Sequence, residues 1–300
     1  MKPFLIVFIS IILEAMPFVL LGALVSACIQ LFVSEELIER ILPKKKWKGF
    51  IAAGLMGIIF PVCECAIIPI TRRLIKKGIP TGMAMTFMLA VPIINPVVLL
   101  STYYAFNDKT YMVVGRAGFG FLAAVVIGVL ISISEEGKEP ILKDKDVREE
   151  EQCTCGCQTI KGSYYSPSHL TSILEHTSKE FLNIMQYLVL GAILSSVFQT
   201  YVNKDVMQFI GNNSYMAVPF MMILAFILSL CSEVDAFIAR TFITQFSSGA
   251  ILAFLIFGPM LDVKNALMLG GYFKTRFVIK VMVYTTLICG MIGFIANEFI

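Results

Sequence analysis

Long apolar stretches separated by short polar segments fill most of this chain. A membrane-spanning helix needs about 20 mostly apolar residues, whereas transmembrane β-strands show short segments of alternating polarity. The pattern therefore predicts an all-α integral membrane protein with about eight transmembrane helices. The apolar stretches run over residues 4–33, 50–68, 82–106, 111–134, 181–202, 215–231, 249–270 and 277–300.

Composition points to the same class. The chain has 300 residues, of which 57% are hydrophobic and 15% are charged, whereas soluble domains carry about a quarter charged residues. The net charge is only +3 and the basic residues lie mostly in short loops, so we expect no nucleic-acid partner. We predict a multi-pass protein of the cell membrane, with the lipid bilayer as its surroundings.

The chain contains an internal repeat. Residues 12–33 align with residues 181–202 at a shift of 169, and eight of the 22 positions are identical. Residues 73–100 align with residues 240–267 at a shift of 167, and the identical positions include Gly and Pro. We therefore predict two homologous membrane repeats, a plan typical of transporters whose solute site lies between the halves.

The repeats define the domain boundaries. We predict a first membrane repeat over residues 1–134, a polar Cys-containing linker over 135–178 and a second membrane repeat over 179–300. Four spans in each half would make the halves parallel, whereas short segments that cross the membrane fully would make them inverted. The sequence leaves both topologies open.

A Cys-Glu-Cys sequence between two prolines is the first candidate site. Pro61 and Pro69 each remove a backbone donor, which predicts a broken or re-entrant segment inside the membrane. The thiolates of Cys63 and Cys65 suit soft species such as zinc, copper(I) or trivalent arsenic, and an intramembrane carboxylate such as Glu64 indicates a functional site. The alternative is two buried structural cysteines beside a glutamate that reaches the surface.

The second repeat carries a matching segment. Cys231, Glu233 and Asp235 occupy the same place in the repeat as the first site. Pseudo-symmetry would bring the two segments opposite each other, so we expect the thiols of Cys63, Cys65 and Cys231 to converge.

Interrupted helices at matching positions form the third pair of motifs. Proline breaks both segments, and Asn95 of the first aligns with Asp262 of the second. Such matched breaks are the best sequence indication of a transport site. We expect Asn95 and Asp262 to line a polar path, with Lys264 paired to Asp262. The alternative for each break is a structural kink.

The linker holds three further thiols at alternate positions, Cys153, Cys155 and Cys157. This spacing differs from the CxxC pairs of structural zinc modules. The three residues are either a soft-metal site or part of an incidental polar loop.

At these motifs the chain resembles the ArsP-type predicted permeases over nearly its whole length outside the linker. The resemblance implies a permease, because family members studied as arsenic-resistance proteins look like efflux permeases for trivalent organoarsenicals. It also implies a small membrane partner subunit, which sometimes accompanies relatives of this type. The motifs that carry the resemblance are Cys63-Glu-Cys65, Gly78-Ile-Pro80, Pro92-Ile-Ile-Asn-Pro96, Cys231-Ser-Glu-Val-Asp-Ala-Phe237 and Gly258-Pro-Met-Leu-Asp-Val-Lys-Asn265.

One position departs from the commoner pattern of that family. Glu64 stands between the two cysteines where serine is frequent. A carboxylate beside two thiols favours a cation such as zinc or copper over a neutral arsenical.

Two hypotheses from different classes follow. The first is a secondary transporter, not an enzyme, for a small thiophilic solute; it has no cofactor, and a soft metal ion enters only as cargo. The chain lacks the GxxxxGK[ST] motif of ATP-binding loops. The alternative is a transmembrane thiol-redox protein that uses Cys63, Cys65 and Cys231. The first hypothesis assigns the solute path to Cys63, Glu64, Cys65, Cys231, Glu233, Asp235, Asn95, Asp262 and Lys264.

Overall fold

The computed structural model describes residues 2–32, 46–58, 64–135, 141–142, 167–201 and 214–299. These residues are almost entirely helical, and no β-strand occurs among them apart from an isolated bridge between Leu142 and Phe273. The predicted all-α membrane architecture is therefore confirmed. The number of about eight spans and the repeat boundaries stay predictions.

The first half contains two pairs of short helices between two long ones. The second pair is interrupted at Asn95, because the following Pro96 disfavours helical backbone in the residue before it. Pro96 itself suits the first turn of the next helix, where no backbone donor is needed. The helices are α1 (Lys2–Phe32), α2 (Lys46–Leu55, followed by a 3-10 turn at Met56–Ile58), α3 (Glu64–Lys76), α4 (Thr81–Ile94), α5 (Pro96–Ala105) and α6 (Thr110–Glu135).

The second half follows the same order of elements. Its interruption lies at Leu261 and Asp262, two residues after Pro259, and Asp262 caps the helix that follows. The helices are α7 (Pro167–Tyr201), α8 (Ser214–Leu228), α9 (Asp235–Thr241), α10 (Ser248–Met260), α11 (Val263–Tyr272) and α12 (Thr275–Phe299).

Five described segments are long and apolar enough to cross a membrane, judged by length and composition. The two interrupted helices are the most enclosed, with 78% of an 18-residue apolar stretch of α4–α5 and 83% of such a stretch of α10–α11 buried. The α1 segment is only 12% buried, and its outward side chains are apolar, as a lipid-facing helix requires. The interrupted helices therefore form the centre of the molecule. The five segments are Phe4–Val25, Thr81–Ala105, Thr110–Glu135, Ser248–Tyr272 and Thr275–Glu298.

Helices α2 and α3 run in opposite directions, and we call this pair the first hairpin. Gly49, near the start of α2, lies against Met83 at the start of α4, and Gly57 lies against Val91 near the end of α4. Helix α2 is therefore parallel to α4. Helix α3 joins α4 through the tight turn at residues 77–80 and is antiparallel to it. The apolar stretch 50–68 is thus divided between two antiparallel helices, and α3 ends on the side of the molecule where α2 begins.

Helices α8 and α9 repeat this arrangement, and we call them the second hairpin. The ring of Phe220 stacks on Phe246, just before α10, with 5.8 Å between centroids. Ala225 faces Gly258 near the end of α10, so α8 is parallel to α10. Helix α9 reaches α10 through the short connection at residues 242–247 and returns in the opposite direction.

Helices α4 and α6 are antiparallel and packed closely. A methyl group at Gly82 would come within 2.5 Å of the carbonyl oxygen of Gly128, and one at Gly120 would come within 2.5 Å of Ile93. These glycines allow the two backbones to approach each other, as small residues do at helix contacts in membranes.

Helices α4 and α10 run in opposite directions. The hydroxyl of Tyr111, near the start of α6, lies 3.3 Å from Ser248 Oγ at the start of α10, and Gly115 lies against Leu252 one turn further on. Helix α6 is therefore parallel to α10. Because α6 is antiparallel to α4, the interrupted helices of the two halves point in opposite directions.

Candidate functional site

The tip of the second hairpin is buried non-helical backbone. Helix α8 ends at Leu228, and α9 starts only at Asp235. Ser229 has a φ of 47°, in the left-handed region that residues other than glycine rarely adopt. Its hydroxyl oxygen accepts a hydrogen bond from the backbone N–H of Val263 at 3.1 Å, which ties the tip to the start of α11. Cys231 follows and is itself buried.

The tips of the two hairpins meet. Ser232 Oγ donates a hydrogen bond to Glu64 Oε2 at 3.2 Å, although the two residues are 168 positions apart. Glu64 is the first residue of α3, and both side chains are fully buried, with 1% and 0% exposure respectively. Buried polar groups require partners, so this bond joins the two halves at the centre of the molecule.

Lys264 places an ammonium group between two carboxylates at the same point. Its Nζ atom lies 3.9 Å from Glu64 Oε1 and 3.6 Å from Asp262 Oδ2. All three side chains are buried. Glu233, which is half-buried, adds a further negative charge that acts on Glu64. Two carboxylates share one ammonium, so the cluster holds more acidic than basic groups.

A small cavity lies beside these charges. It has a volume of about 10 Å³ and is lined by Glu64 and Asn265 among apolar residues of α3, α4 and α10. Glu64 Oε1 and Asn265 Oδ1 are buried and find no hydrogen-bond donor within the described parts of the chain. Buried oxygens of this kind need a donor or a cation, so the cluster has the capacity to bind a further positive or hydrogen-donating group.

A second buried ion pair holds the other hairpin. Arg116 of α6 donates to both carboxylate oxygens of Asp235, at 2.9 Å from Nη1 and 2.6 Å from Nη2. Nη1 also donates to Thr102 Oγ1 at 2.8 Å, and Nη2 donates to the carbonyl of Ser232 at 3.2 Å. Arg116 has no exposed surface, and both terminal nitrogens of its guanidinium donate to partners inside the protein.

Asn95 and Asp262 perform the same local task in the two interrupted helices. The side chain of Asn95 accepts from the backbone N–H of Val97 at 3.0 Å, and that of Asp262 accepts from the N–H of Asn265 at 2.6 Å. Both are therefore N-cap residues. Asp262 contributes its second oxygen to the Lys264 cluster, whereas the bond between Val97 and the Asn95 side chain stays within one helix.

The outer ends of the hairpins dock on aromatic rings of the opposite half. The guanidinium carbon of Arg72 lies 5.0 Å from the ring centroid of Tyr272, and that of Arg240 lies 5.7 Å from the ring centroid of Phe106. Arg240 also pairs with Asp108 through two hydrogen bonds, at 2.6 and 3.0 Å. These bonds hold the pKa of the exposed Asp108 carboxyl below its usual range.

The structure brings some of the predicted site residues together and separates others. Glu64, Asp262 and Lys264 form one cluster, whereas Asp235 is engaged by Arg116 instead. The role of any of these residues in solute binding stays a prediction.

Of the cysteines predicted for the site, the structure describes Cys231 in full. Cys231 is buried one residue from the contact between the hairpin tips. Cys63 lies outside the described residues, as does the side chain of Cys65. The linker residues Cys153, Cys155 and Cys157 also lie outside them. The expected convergence of the thiols therefore stays a prediction.

Arg116 was not among the predicted site residues. It is the single charged residue in the apolar stretch 111–134. A charge in a membrane span is costly enough to indicate a function or a buried partner, so this signal was available in the sequence.

The family profile described as a predicted permease of the ArsP type matches residues 1–298. The match covers both halves and the linker. The description of the family is that of a predicted permease, which is a class of transporter.

Two relatives cover nearly the whole chain. The UPF0718 protein YcgR of Bacillus subtilis is 43% identical over 282 residues, which is 94% of this chain and 92% of the relative. A Streptococcus mutans protein, proposed in its name to be a two-component membrane permease complex subunit, is 36% identical over 284 residues, with 95% and 91% covered.

A more distant relative aligns with a shorter part of this chain. The UPF0718 protein YraQ of Escherichia coli is 21% identical over 113 residues, which is 38% of this chain and 30% of the relative. No solved structure matches the chain. The profile match and the two long alignments agree with the apolar segments of the fold, and the chain belongs to the ArsP-type predicted permeases as a multi-pass membrane protein.

Proposed function

We propose that this protein is a secondary transporter that moves a small thiophilic solute, a soft metal ion or a trivalent arsenical, along a path between its two halves. The observation that carries the proposal is the hydrogen bond from Ser232 to Glu64 between the hairpin tips. Cysteine flanks both partners in the sequence, with Cys63 and Cys65 beside Glu64 and Cys231 beside Ser232. Consecutive Cα atoms are about 3.8 Å apart, and this closeness in the sequence supports the proposal that the three thiols lie near one contact.

We infer that the two halves form an inverted duplication, which supports this path. Thr81 and Ser248 begin α4 and α10, and Pro96 and Val263 begin α5 and α11, so both pairs start 167 residues apart. The equivalent helices run in opposite directions, and neither hairpin crosses from one side to the other. Three crossings in each half would invert the second half relative to the first. Transporters built in this way bind solute at the repeat interface, among broken helices.

The chemistry of the residues favours a cationic soft solute. Thiolates bind zinc, copper(I) and trivalent arsenic. The carboxylates of Glu64, Glu233 and Asp262 outnumber the single ammonium of Lys264, so a bound cation would offset their excess negative charge.

Energy coupling would come from an ion gradient or from a partner subunit, because the chain has no ATP-binding loop of the GxxxxGK[ST] type. The Streptococcus mutans relative is named for a two-component permease complex. By analogy we propose a small membrane partner for this chain as well.

The linker thiols fit the same solute class. Cys153, Cys155 and Cys157 stand at alternate positions, and thiols at this spacing can chelate a soft metal. We propose that they capture cargo before or after it passes the membrane.

The test is whole-cell elemental analysis. Cells that express the wild type, Cys63→Ser or Cys231→Ser would be challenged with zinc, copper, cobalt, arsenite and a methylated trivalent arsenical. We expect the wild type to change the content of one element, and both variants to lose most of that change because a thiol is missing from the path. The sign of the change gives the direction of transport.

Cys289→Ser is the matched control, because Cys289 is buried against Met260 and is not part of the proposed path. A panel without any change, with the protein present in the membrane, would contradict the proposal. Trapping of thiols in growing cells would then test the redox alternative, which requires a disulfide between Cys63 and Cys65 or Cys231 in a substantial fraction of molecules.

A further inference from the structure

Arg116 holds a piece of backbone that has few bonds of its own. The segment between α8 and α9 is non-helical, and the backbone N–H groups of Val234 and Asp235 both point to the carbonyl of Cys231. The carbonyl of Ser232 is instead held by Arg116. Asp235, where α9 begins, is held by the same guanidinium. Arg116 therefore spans the tip from one end to the other.

The hydrogen bonds that Arg116 makes to Ser232 and Asp235, which we call the clamp, extend to the contact between the halves. Ser232 accepts from Arg116 through its carbonyl and donates to Glu64 through its hydroxyl. Arg116 itself is braced by Thr102 of α5, and Thr102 in turn donates to the carbonyl of Val98 at 2.7 Å. A continuous set of hydrogen bonds thus runs from the first interrupted helix through the second hairpin to the first hairpin.

The other half lacks this clamp. Helices α6 and α12 start 165 residues apart, so the position that corresponds to Arg116 is Val281. At the repeat shift of 167, the position that corresponds to Asp235 is Ile68. Both are buried and apolar, which indicates that a hairpin of this kind packs without an ion pair at these two positions. Because a buried ion pair is often no more stabilising than apolar residues of similar volume, packing alone does not account for Arg116 and Asp235.

We propose that Arg116 is a positioning residue for the solute site, which fixes Cys231 and Ser232 against Glu64 by holding Ser232 and Asp235. The proposal rests on the proposed transport function for its purpose, but the geometry that it predicts is measurable without any solute.

The test measures how often the hairpin tips approach each other. Glu64→Cys and Ser232→Cys would be introduced together into full-length protein in which Cys63, Cys65 and Cys231 are serine. A short bifunctional methanethiosulfonate would be added in liposomes, and the cross-link would be identified by mass spectrometry. The rate of cross-linking would be compared between the protein that keeps Arg116 and the protein that carries Arg116→Lys, since lysine keeps the charge but lacks the fork of donors.

A second pair of cysteines supplies an internal reference. Tyr111→Cys and Ser248→Cys report on the contact between α6 and α10, which does not involve Arg116. Arg240→Lys is the matched control substitution, because Arg240 lies on the same hairpin but pairs with Asp108 at the surface.

We expect Arg116→Lys to slow the cross-link at the tips by about tenfold or more, since hydrogen bonds to charged groups are lost. The reference cross-link and the Arg240→Lys protein should react at the wild-type rate. An unchanged rate at the tips would overturn the proposal, and so would an equal slowing of both cross-links, which would indicate a general loosening of the fold.

A second variant keeps the test decisive if Arg116→Lys does not fold. Arg116→Val combined with Asp235→Ile copies the apolar residues of the other half and should fold. We expect this protein to cross-link slowly at the tips. Where a solute is transported, the KM of the variant should rise by a larger factor than its maximal rate falls. Tips that react as fast as those of the wild type would contradict the proposal. A wild type that transports nothing in the panel would refute the proposed function alone.

Discussion

The two hairpins are held to the opposite half by ion pairs of different geometry. Asp235 of the second hairpin receives two hydrogen bonds from Arg116, at 2.9 and 2.6 Å. Glu64 of the first hairpin lies 3.9 Å from Lys264, which is closer to Asp262 at 3.6 Å. One carboxylate thus has an arginine to itself, whereas the other shares an ammonium with a competitor.

The difference matters because the two cations behave differently. The arginine fork fixes both the distance and the plane of its partner, whereas an ammonium is a point charge that pairs in many directions. The second hairpin therefore has the stiffer connection. At the first hairpin, the partner of Glu64 is Lys264 of α11. Lys264 can turn from Glu64 to Asp262 without being left as an uncompensated buried cation.

The largest effect should come from Asp235→Asn. No other carboxylate in the described parts of the chain lies within ion-pair distance of Arg116, and arginine cannot lose its charge in a protein. The substitution leaves a buried charge without a counter-ion, which costs about 3–5 kcal/mol. The free energy of unfolding in mixed detergent micelles measures this loss.

The double variant Arg116→Val with Asp235→Ile is the control. Removing both charges should restore most of the stability, because apolar residues of similar volume often replace a buried pair without loss. If the double variant is as unstable as Asp235→Asn or less stable, the pair contributes through packing rather than through charge.

Glu64→Gln should have a much smaller effect on stability. Lys264 keeps Asp262 as its counter-ion, and the amide oxygen of glutamine can still accept the bond from Ser232. We expect a cost on the order of 1 kcal/mol in the same unfolding measurement, the value of one hydrogen bond. A cost equal to that of Asp235→Asn would remove the distinction between the two hairpins.

The sequence predicted the breaks of the central helices but not all the contacts that follow from them. Pro92 and Pro259, with Asn95 and Asp262 after them, indicated interruptions at matching positions, and both interruptions are present. The reason is local, since a proline and a capping side chain act only on residues within about one turn of themselves. The same local reasoning placed Lys264 near Asp262, only two residues away.

Contacts across the repeat were beyond sequence reasoning. Ser232 and Glu64 are 168 positions apart, and Arg116 and Asp235 are 119 apart. Which of several buried acids pairs with which cation depends on the direction of each helix, and a hydrophobic pattern does not give that direction. Glu64 was therefore predicted as a site residue without its partners, and Arg116 was missed although its charge stands alone in an apolar stretch.

The smallest effect should come from Asp108→Asn at the outer end of the second hairpin. The pair with Arg240 is exposed, with 48% and 36% side-chain exposure, and exposed ion pairs contribute little. Because Arg240 lowers the pKa of Asp108 from its usual value of 3.8, the pair stabilises fully above that value. Its contribution is lost only as the pH falls through the lowered pKa.

The melting temperatures of wild type and Asp108→Asn should therefore differ by the same small amount at about pH 6 and about pH 8, since both lie far above the ordinary pKa of an aspartate. A difference that grows or vanishes between these two conditions would mean that another group titrates with the pair. A loss as large as that of Asp235→Asn would mean that the outer contact, rather than Arg116, is the principal attachment of the second hairpin.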